Sequence, residues 1–308
     1  MTRRFALLFA LLFAISCGTG GTPNQTLQLS VSASPSAAFP TSVTDFQGRS
    51  VAISKRPERI VSIGPSNTEF LFALGAGDRV VGDDDFSDEP AAAKTKEHVG
   101  GVKVNLEKVV ALKPDLIVTV KFSDGTIEAL SQTSAPVLVV DPQGAADVAR
   151  SATLIGRAIG ADGVKLASDI QKQLDAVKAK TDGAPKLKVF HEVDASDPAK
   201  IYTVGPGSFI DDLIKLAGGA NVFATAKTAY PTVSGEQIVS TDPDVIVLGD
   251  ALYGTSIDSI ATRPGWAALS AVKNKRVYAG LSIFSRPGPR LGDAALEYAK
   301  LVHPELFK

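Results

Sequence analysis

A few aromatic residues in predicted loops are the candidates for ligand binding in this sequence. Five rings follow strand-like apolar runs or lie in loops rather than on an apolar helix face: Phe86, Tyr202, Tyr230, Tyr253 and Phe284. Rings in that setting can stack on a large flat ligand, and tyrosine hydroxyls add hydrogen bonds. Core packing is the alternative for any one ring. As a set, we expect Phe86, Tyr202, Tyr230 and Phe284 to contact a small-molecule ligand.

Two arginines, Arg286 and Arg290, bracket the stretch Pro287-Gly288-Pro289. A guanidinium group can pair with a carboxylate or phosphate at two points, so Arg286 is a candidate for an acidic group of a ligand. The alternative is that one or both arginines form structural ion pairs at the start of a helix. The residues themselves leave these two interpretations open.

Two acids, Glu69 and Glu236, have matching local settings, one in each half of the chain. Ser66-Asn67-Thr68-Glu69 fits a capping box, and Ser234-Gly235-Glu236-Gln237 fits its glutamine version. Capping is a sufficient structural explanation for both acids. Each nevertheless follows a predicted strand, at the first turn of a helix, which would display two carboxylates on the same rim of a two-lobed protein.

Motifs for catalysis and cofactor binding are absent from the sequence. It contains no G-x-S-x-G elbow, no phosphate-binding G-x-x-x-x-G-K-[ST] loop and no H-E-x-x-H helix. The three histidines are widely scattered, and the acidic run Asp83-Asp84-Asp85 lacks calcium-loop spacing, so we expect it to be a solvated loop. These observations predict a protein that is not an enzyme and that has no resident metal or cofactor.

The charge balance argues against a nucleic-acid partner. The chain has 32 basic and 33 acidic side chains, which gives a net charge of -1. Such a chain has no excess positive field to hold phosphates.

The first residues indicate export and attachment to a membrane. Arg3 and Arg4 precede the apolar run Phe5–Ile15, which is too short to span a bilayer and is typical of a signal peptide. Ala14-Ile15-Ser16-Cys17 resembles the lipobox of bacterial lipoproteins, in which the cysteine is acylated. We therefore predict lipidation at Cys17 and an extracytoplasmic, membrane-anchored protein; an ordinary signal peptide is the alternative.

Beyond residue 40, strand-like runs such as Ile60–Ile63 and Val245–Leu248 alternate with helical patterns, which predicts an α/β fold with parallel sheets. Between two such sets, residues 163–180 have apolar residues at helical spacing. The predicted division is a signal peptide (1–16), a flexible tether (17–40), an N-terminal Rossmann-like lobe (41–160), a bridging helix (161–182) and a C-terminal Rossmann-like lobe (183–308).

The two lobes also resemble each other within the sequence. Glu107 lies seven residues before Pro114-Asp115 and a strand, and Glu236 lies seven residues before Pro243-Asp244 and a strand. The order and spacing of such matches favour two related lobes with a cleft between them, although generic α/β patterns are the alternative.

Five motifs in order resemble the periplasmic-binding family that serves vitamin B12 and iron-chelate ABC importers, and most closely its B12-binding members. They are Pro65-Ser66-Asn67-Thr68-Glu69, Asp85-Phe86-Ser87-Asp88-Glu89-Pro90, Val104-Asn105-Leu106-Glu107 through Asp115, Val233-Ser234-Gly235-Glu236-Gln237 and Arg286-Pro287-Gly288-Pro289-Arg290. The resemblance covers nearly everything from Phe39 to Phe307. It implies two α/β lobes joined by one long rigid helix, with ligand held between them.

The resemblance also implies partners and roles. A monomer would capture cobalamin and deliver it to an ABC permease and ATPase complex, with Glu69 and Glu236 as exposed acids that dock on the permease. Phe86, Tyr202 and Tyr230 would contact the corrin, and the loop from Ser282 to Arg286 would lie over its edge. Ser282 replaces an acid of the B12 pattern, and Val102 replaces a tryptophan.

Other functions are carried as alternatives. Within the family, the ligand could be an iron-siderophore or haem. The further alternatives are an α/β enzyme and a metal-binding receptor that also has two lobes joined by a long helix.

Overall fold

The computed structural model describes residues 38–308 of the chain. The predicted signal peptide, the predicted lipidation site Cys17 and nearly all of the predicted tether lie outside this range. Among the described residues, no helix is long and apolar enough to cross a bilayer.

The N-terminal half is built on a parallel five-stranded sheet. Its elements are the hairpin β1 (Thr41–Thr44) and β2 (Ser50–Ile53), strands β3 (Ile60–Ile63), β4 (Val80–Asp83), β5 (Glu97–His98), β6 (Leu116–Thr119) and β7 (Val137–Val139), and helices α1 (Pro65–Ala73), α2 (Leu106–Ala111), α3 (Thr126–Leu130) and α4 (Ala145–Ile159). The strand order is β5-β4-β3-β6-β7, and all pairs are parallel. The carboxyl ends of these strands therefore share one edge of the sheet, where loop residues can meet a ligand.

Helix α5 (Gly163–Thr181) joins the two halves. It buries Ile170, Leu174 and Val177 of the predicted apolar stripe, whereas Val164 at its start is exposed. The buried side chains of α5 belong to one hydrophobic core that also includes side chains from both halves. The corner between α4 and α5 needs glycine, because a side chain at Gly163 would collide with the Ala152 carbonyl. This shared core supports a fixed connection between the lobes.

The C-terminal half has a mixed sheet. Its elements are strands β8 (Leu187–Asp194), β9 (Ile201–Thr203), β10 (Gly219–Asn221), β11 (Thr232–Val233), β12 (Val245–Leu248) and β13 (Val277–Ala279), and helices α6 (Phe209–Leu216), α7 (Gly235–Thr241), α8 (Ile257–Ile260), α9 (Ser270–Lys273) and α10 (Leu291–Val302). The predicted α/β class is confirmed, but an entirely parallel C-terminal sheet is wrong, since β9 is antiparallel to both β8 and β11. The link between β8 and β9 is too short for a helical crossover, which forces the antiparallel pairing.

His191 of β8 makes the stability of this half depend on pH. The side chain is buried, its Nδ1 lies 3.1 Å from the Tyr298 hydroxyl, and burial lowers its pKa to about 3. An unfolded histidine titrates near about 6.5, so below that pH the unfolded chain binds one proton more than the folded chain. Stability is therefore expected to fall as pH drops from 6.5 towards 3, by at most about 1.4 kcal/mol per pH unit from this residue.

Denaturant unfolding of the wild type and of His191→Gln at a series of pH values tests this expectation. The variant isolates the histidine from Asp83, whose pKa burial raises to about 6 and whose contribution has the opposite sign. The difference in unfolding free energy between the two proteins should shrink as the pH falls below 6.5. A constant difference down to pH 4 would contradict the assignment.

Candidate functional site

Three of the four ring candidates are exposed. The exposed fractions are 52% for Phe86, 46% for Tyr202 and 42% for Tyr230. Tyr202 points away from the core because its neighbours Ile201 and Thr203 on β9 are buried, and Tyr230 lies just before β11, whose Thr232 is opposite Tyr202. Tyr202 and Tyr230 therefore lie at one edge of the C-terminal sheet, and Phe86 belongs to the N-terminal half.

A charge of the N-terminal half acts on Tyr230. Partial burial, followed by the negative charge of Asp141, raises the pKa of the Tyr230 phenol. Asp141 follows β7, so the carboxylate that influences Tyr230 belongs to the N-terminal half. Desolvation also raises the pKa of the Asp141 carboxyl, which is consistent with a recessed position between the lobes.

Phe86 is held in place by a buried carboxylate. Asp84 accepts hydrogen bonds from the backbone N–H of Gly64 at 2.5 Å, from the N–H of Phe86 at 2.9 Å and from the Ser87 hydroxyl at 3.0 Å. Asp83 is also buried and lies 2.8 Å from Nδ1 of His98. The expectation of a solvated acidic loop is therefore wrong for Asp83 and Asp84, which are both buried. Asp84 fixes the loop that presents the Phe86 ring.

Phe284 is the ring that the structure removes from the candidate set. It is 1% exposed, and its ring lies 5.0 Å from that of Tyr298. Ser282, at the start of the same short 3-10 helix, is half-buried. The prediction of a ligand contact at Phe284 is wrong because this loop turns its ring into the core against α10.

Arg286 and Arg290 connect the two halves through Glu69. Arg290 donates to both carboxylate oxygens of Glu69, from Nε at 2.9 Å and from Nη2 at 2.8 Å, and Arg286 donates from Nη1 at 3.2 Å. Arg286 also pairs with Asp88 at 2.5 Å. We call these four residues the inter-lobe ion cluster. It ties the segment before α10 to α1 and to the loop that carries Phe86.

The cluster changes the roles predicted for its members. Glu69 is 4% exposed, so the expectation of an exposed docking acid at this position is wrong. The predicted capping box is also absent there, because α1 begins at Pro65 and Gly64 is its N-cap, which leaves Glu69 inside the helix. For Arg286 and Arg290 the structural ion-pair interpretation describes the contacts, since both guanidinium groups already have carboxylate partners.

Glu107 and Glu236 occupy equivalent positions in the two halves. Each is the second residue of its helix, after Asn105 caps α2 and Ser234 caps α7, and each is exposed. The predicted capping box at Ser234 and Gln237 is present. A hydrogen bond from Ser234 lowers the pKa of Glu236. The internal repeat that relates Glu107 to Glu236 was visible in the sequence and is the signal that could have identified this pair.

The arrangement favours binding over catalysis. Both halves contribute exposed rings, and Arg286 is paired with Glu69 and Asp88. Within residues 38–308, no group of three histidine, cysteine, aspartate or glutamate side chains is placed to hold a metal ion. Stacking, with hydrogen bonds from tyrosine hydroxyls, is the interaction that these groups offer.

Comparisons with known proteins agree with this description. The chain is 35% identical to YvrC, an uncharacterized ABC transporter substrate-binding lipoprotein of Bacillus subtilis, over 98% of this chain and 97% of the relative. It is 30% identical to the vitamin B12-binding protein of Vibrio cholerae over 77% of this chain and 86% of the relative.

A solved structure shows the same fold. The crystal structure of the periplasmic vitamin B12 binding protein BtuF of Vibrio cholerae superposes with a TM-score of 0.67 at 29% identity, covering 82% of this chain and 98% of that chain. These relatives are solute-binding proteins rather than enzymes. The family model described as periplasmic binding protein matches residues 60–282. The chain therefore belongs to the periplasmic binding protein family and is a substrate-binding protein of ABC importers.

Proposed function

We propose that the protein captures a corrinoid between its two lobes and delivers it to an ABC permease. The observation that carries this proposal is the set of exposed rings contributed by both halves, Phe86 from one and Tyr202 and Tyr230 from the other. Relatives named for binding vitamin B12 support the ligand class. Exposed aromatic rings suit a large and flat ligand.

An iron-siderophore or haem is the alternative ligand. A relative of known structure, described as a possible iron-binding protein of Staphylococcus epidermidis, is 27% identical. An anionic chelate would need a free cation, and Arg286 is already paired with Glu69 and Asp88. This pairing favours the corrinoid.

The absorption spectrum of protein purified from its native host distinguishes these ligands. Corrinoids, haem and ferric chelates have different visible bands, so a corrinoid spectrum is the expected result. A haem or ferric-chelate spectrum would contradict the proposed ligand while leaving the substrate-binding function intact.

The rings provide a test by substitution. Tyr230→Ala is expected to weaken cyanocobalamin binding roughly tenfold or more, because it removes an aromatic surface that the ligand would cover. Tyr253→Ala is the matched control, since Tyr253 is 88% exposed and ends a short 3-10 helix after β12. Calorimetric titration of both variants gives the comparison, and equal affinities would remove Tyr230 from the site.

Docking on the permease is proposed for Glu107 and Glu236 rather than for Glu69. The two exposed carboxylates have equivalent positions, and neither forms a salt bridge within residues 38–308. Two such charges would orient the protein on a permease that presents cations. We also propose that Cys17 carries a lipid that holds the protein at the membrane; the relative YvrC is itself named as a lipoprotein.

A further inference from the structure

A cavity of about 510 Å³ lies beside Glu236 in the C-terminal half. Its lining includes Ala199, Ile201, Gly235, Glu236, Arg263 and Trp266. Ile201 and Tyr202 are neighbours on β9, and neighbouring side chains on a strand point to opposite faces of the sheet. The cavity therefore lies on the face opposite the Tyr202 ring and is separate from the proposed ligand cleft.

Of the charged side chains that line the cavity, Arg263 has a salt-bridge partner and Glu236 has none within residues 38–308. Arg263 donates to both oxygens of Glu192, at 2.5 and 2.8 Å, and its guanidinium lies 4.7 Å from the centre of the Trp266 ring. Glu192 is fully buried, so Arg263 is held by this pair. Glu236 on the rim is exposed and forms no salt bridge with the part of the chain that the structure describes. The site thus combines an apolar cavity with a negative rim.

Gly235 lines the cavity next to Trp266. A side chain at Gly235 would begin 3.5 Å from Nε1 of Trp266. In the other half, the equivalent first residue of α2 is Leu106, which is 37% exposed. The two halves therefore present the same acid beside different surfaces, a cavity at Glu236 and a leucine side chain at Glu107.

We propose that this cavity receives an apolar or aromatic side chain of the permease, next to a permease cation that pairs with Glu236. The inference rests on the proposed docking role of Glu236. An apolar residue inserted into a preformed cavity supplies binding energy, while the flanking charge pair supplies orientation. Because the surface beside Glu107 differs, the cavity also makes the two ends of the protein distinguishable to a permease.

Filling the cavity tests the proposal. Ala199→Trp, with Val164→Trp as the control on the exposed start of α5, is compared with the wild type. The probe is the permease and ATPase complex of the host importer in nanodiscs. Ala199→Trp is expected to weaken docking roughly tenfold or more, as for the loss of a buried anchor, while cyanocobalamin affinity and Val164→Trp docking stay unchanged.

Three results separate this inference from the proposed function. Normal docking of Ala199→Trp, with weakened docking of Glu236→Gln, would overturn the cavity proposal alone. Normal docking of both variants would overturn the docking role of Glu236 as well. Loss of cyanocobalamin binding in correctly folded Ala199→Trp would assign the cavity to the ligand site and also overturn the proposal.

A photocrosslinker covers the case in which Ala199→Trp does not fold. Benzoylphenylalanine at Ala199 in the full chain should crosslink to the permease, whereas the same group at Val164 should not. Absence of the Ala199 crosslink from a docked complex would contradict the proposal.

Discussion

Glu69→Ala is expected to destabilise the protein by about 3 kcal/mol and to weaken ligand binding. The value is at the lower end of the range for breaking a buried ion pair, about 3–5 kcal/mol, because Arg290 keeps 35% of its side chain exposed. The substitution leaves Arg286 with Asp88 alone and Arg290 without its carboxylate. It also releases the link between the segment before α10 and helix α1. Cyanocobalamin affinity should fall roughly tenfold, because a loosened cleft must be ordered when ligand binds.

Denaturant unfolding and calorimetric titration measure the two effects. Glu128→Ala removes an exposed acid from α3 and is the matched control, with no change expected in either measurement. Glu69→Gln should give an intermediate loss of stability, since it keeps a hydrogen-bond acceptor and removes the charge. If Glu69→Ala matched the control in stability and affinity but failed to dock, Glu69 would be a docking acid and the inter-lobe ion cluster would be unimportant.

The combined change Glu107→Gln and Glu236→Gln is expected to weaken docking on the permease and to leave stability and ligand binding nearly unchanged, in contrast to Glu69→Ala. Each glutamine removes a favourable helix-terminus charge that contributes only about 0.5 kcal/mol, so folding and cyanocobalamin affinity should be nearly unchanged. Docking to the permease should weaken roughly 100-fold at low salt, because each acid would lose a cationic partner across an interface. The difference from the wild type should shrink as salt is added.

Glu58→Gln with Glu128→Gln is the control for the change in net charge, since both are exposed acids outside the proposed docking pair. Docking measured in nanodiscs, together with uptake into proteoliposomes, compares the two double variants. Equal docking of the two would show that overall charge matters and that the positions of Glu107 and Glu236 do not.

Much of the fold could be predicted because it depends on local patterns. The apolar runs that became β3 and β12 have the bounds found in the structure, Ile60–Ile63 and Val245–Leu248. The antiparallel strand β9 was missed because its three residues carry too little periodicity to be recognised. Its direction depends on the short connection from β8, which is a tertiary constraint.

The candidate site was predicted less well because its contacts are distant in sequence. Glu69 and Arg286 are 217 residues apart, so no local pattern could show that they pair. A glutamate three residues after a serine looks like a capping box whether or not the helix starts there. Phe284 likewise has loop-like neighbours, although its ring packs on Tyr298. The exposure of Phe86, Tyr202 and Tyr230 was predictable, because aromatic residues outside an apolar helical pattern are often exposed in loops.

Titration of the purified protein with cyanocobalamin, followed by calorimetry, tests the proposed function most directly. We expect one site per chain, with a dissociation constant of about one micromolar or tighter. Tyr253→Ala should reproduce the wild-type curve and Tyr230→Ala should shift it. Absence of binding at about fifty micromolar cyanocobalamin, with the protein folded, would contradict the corrinoid proposal.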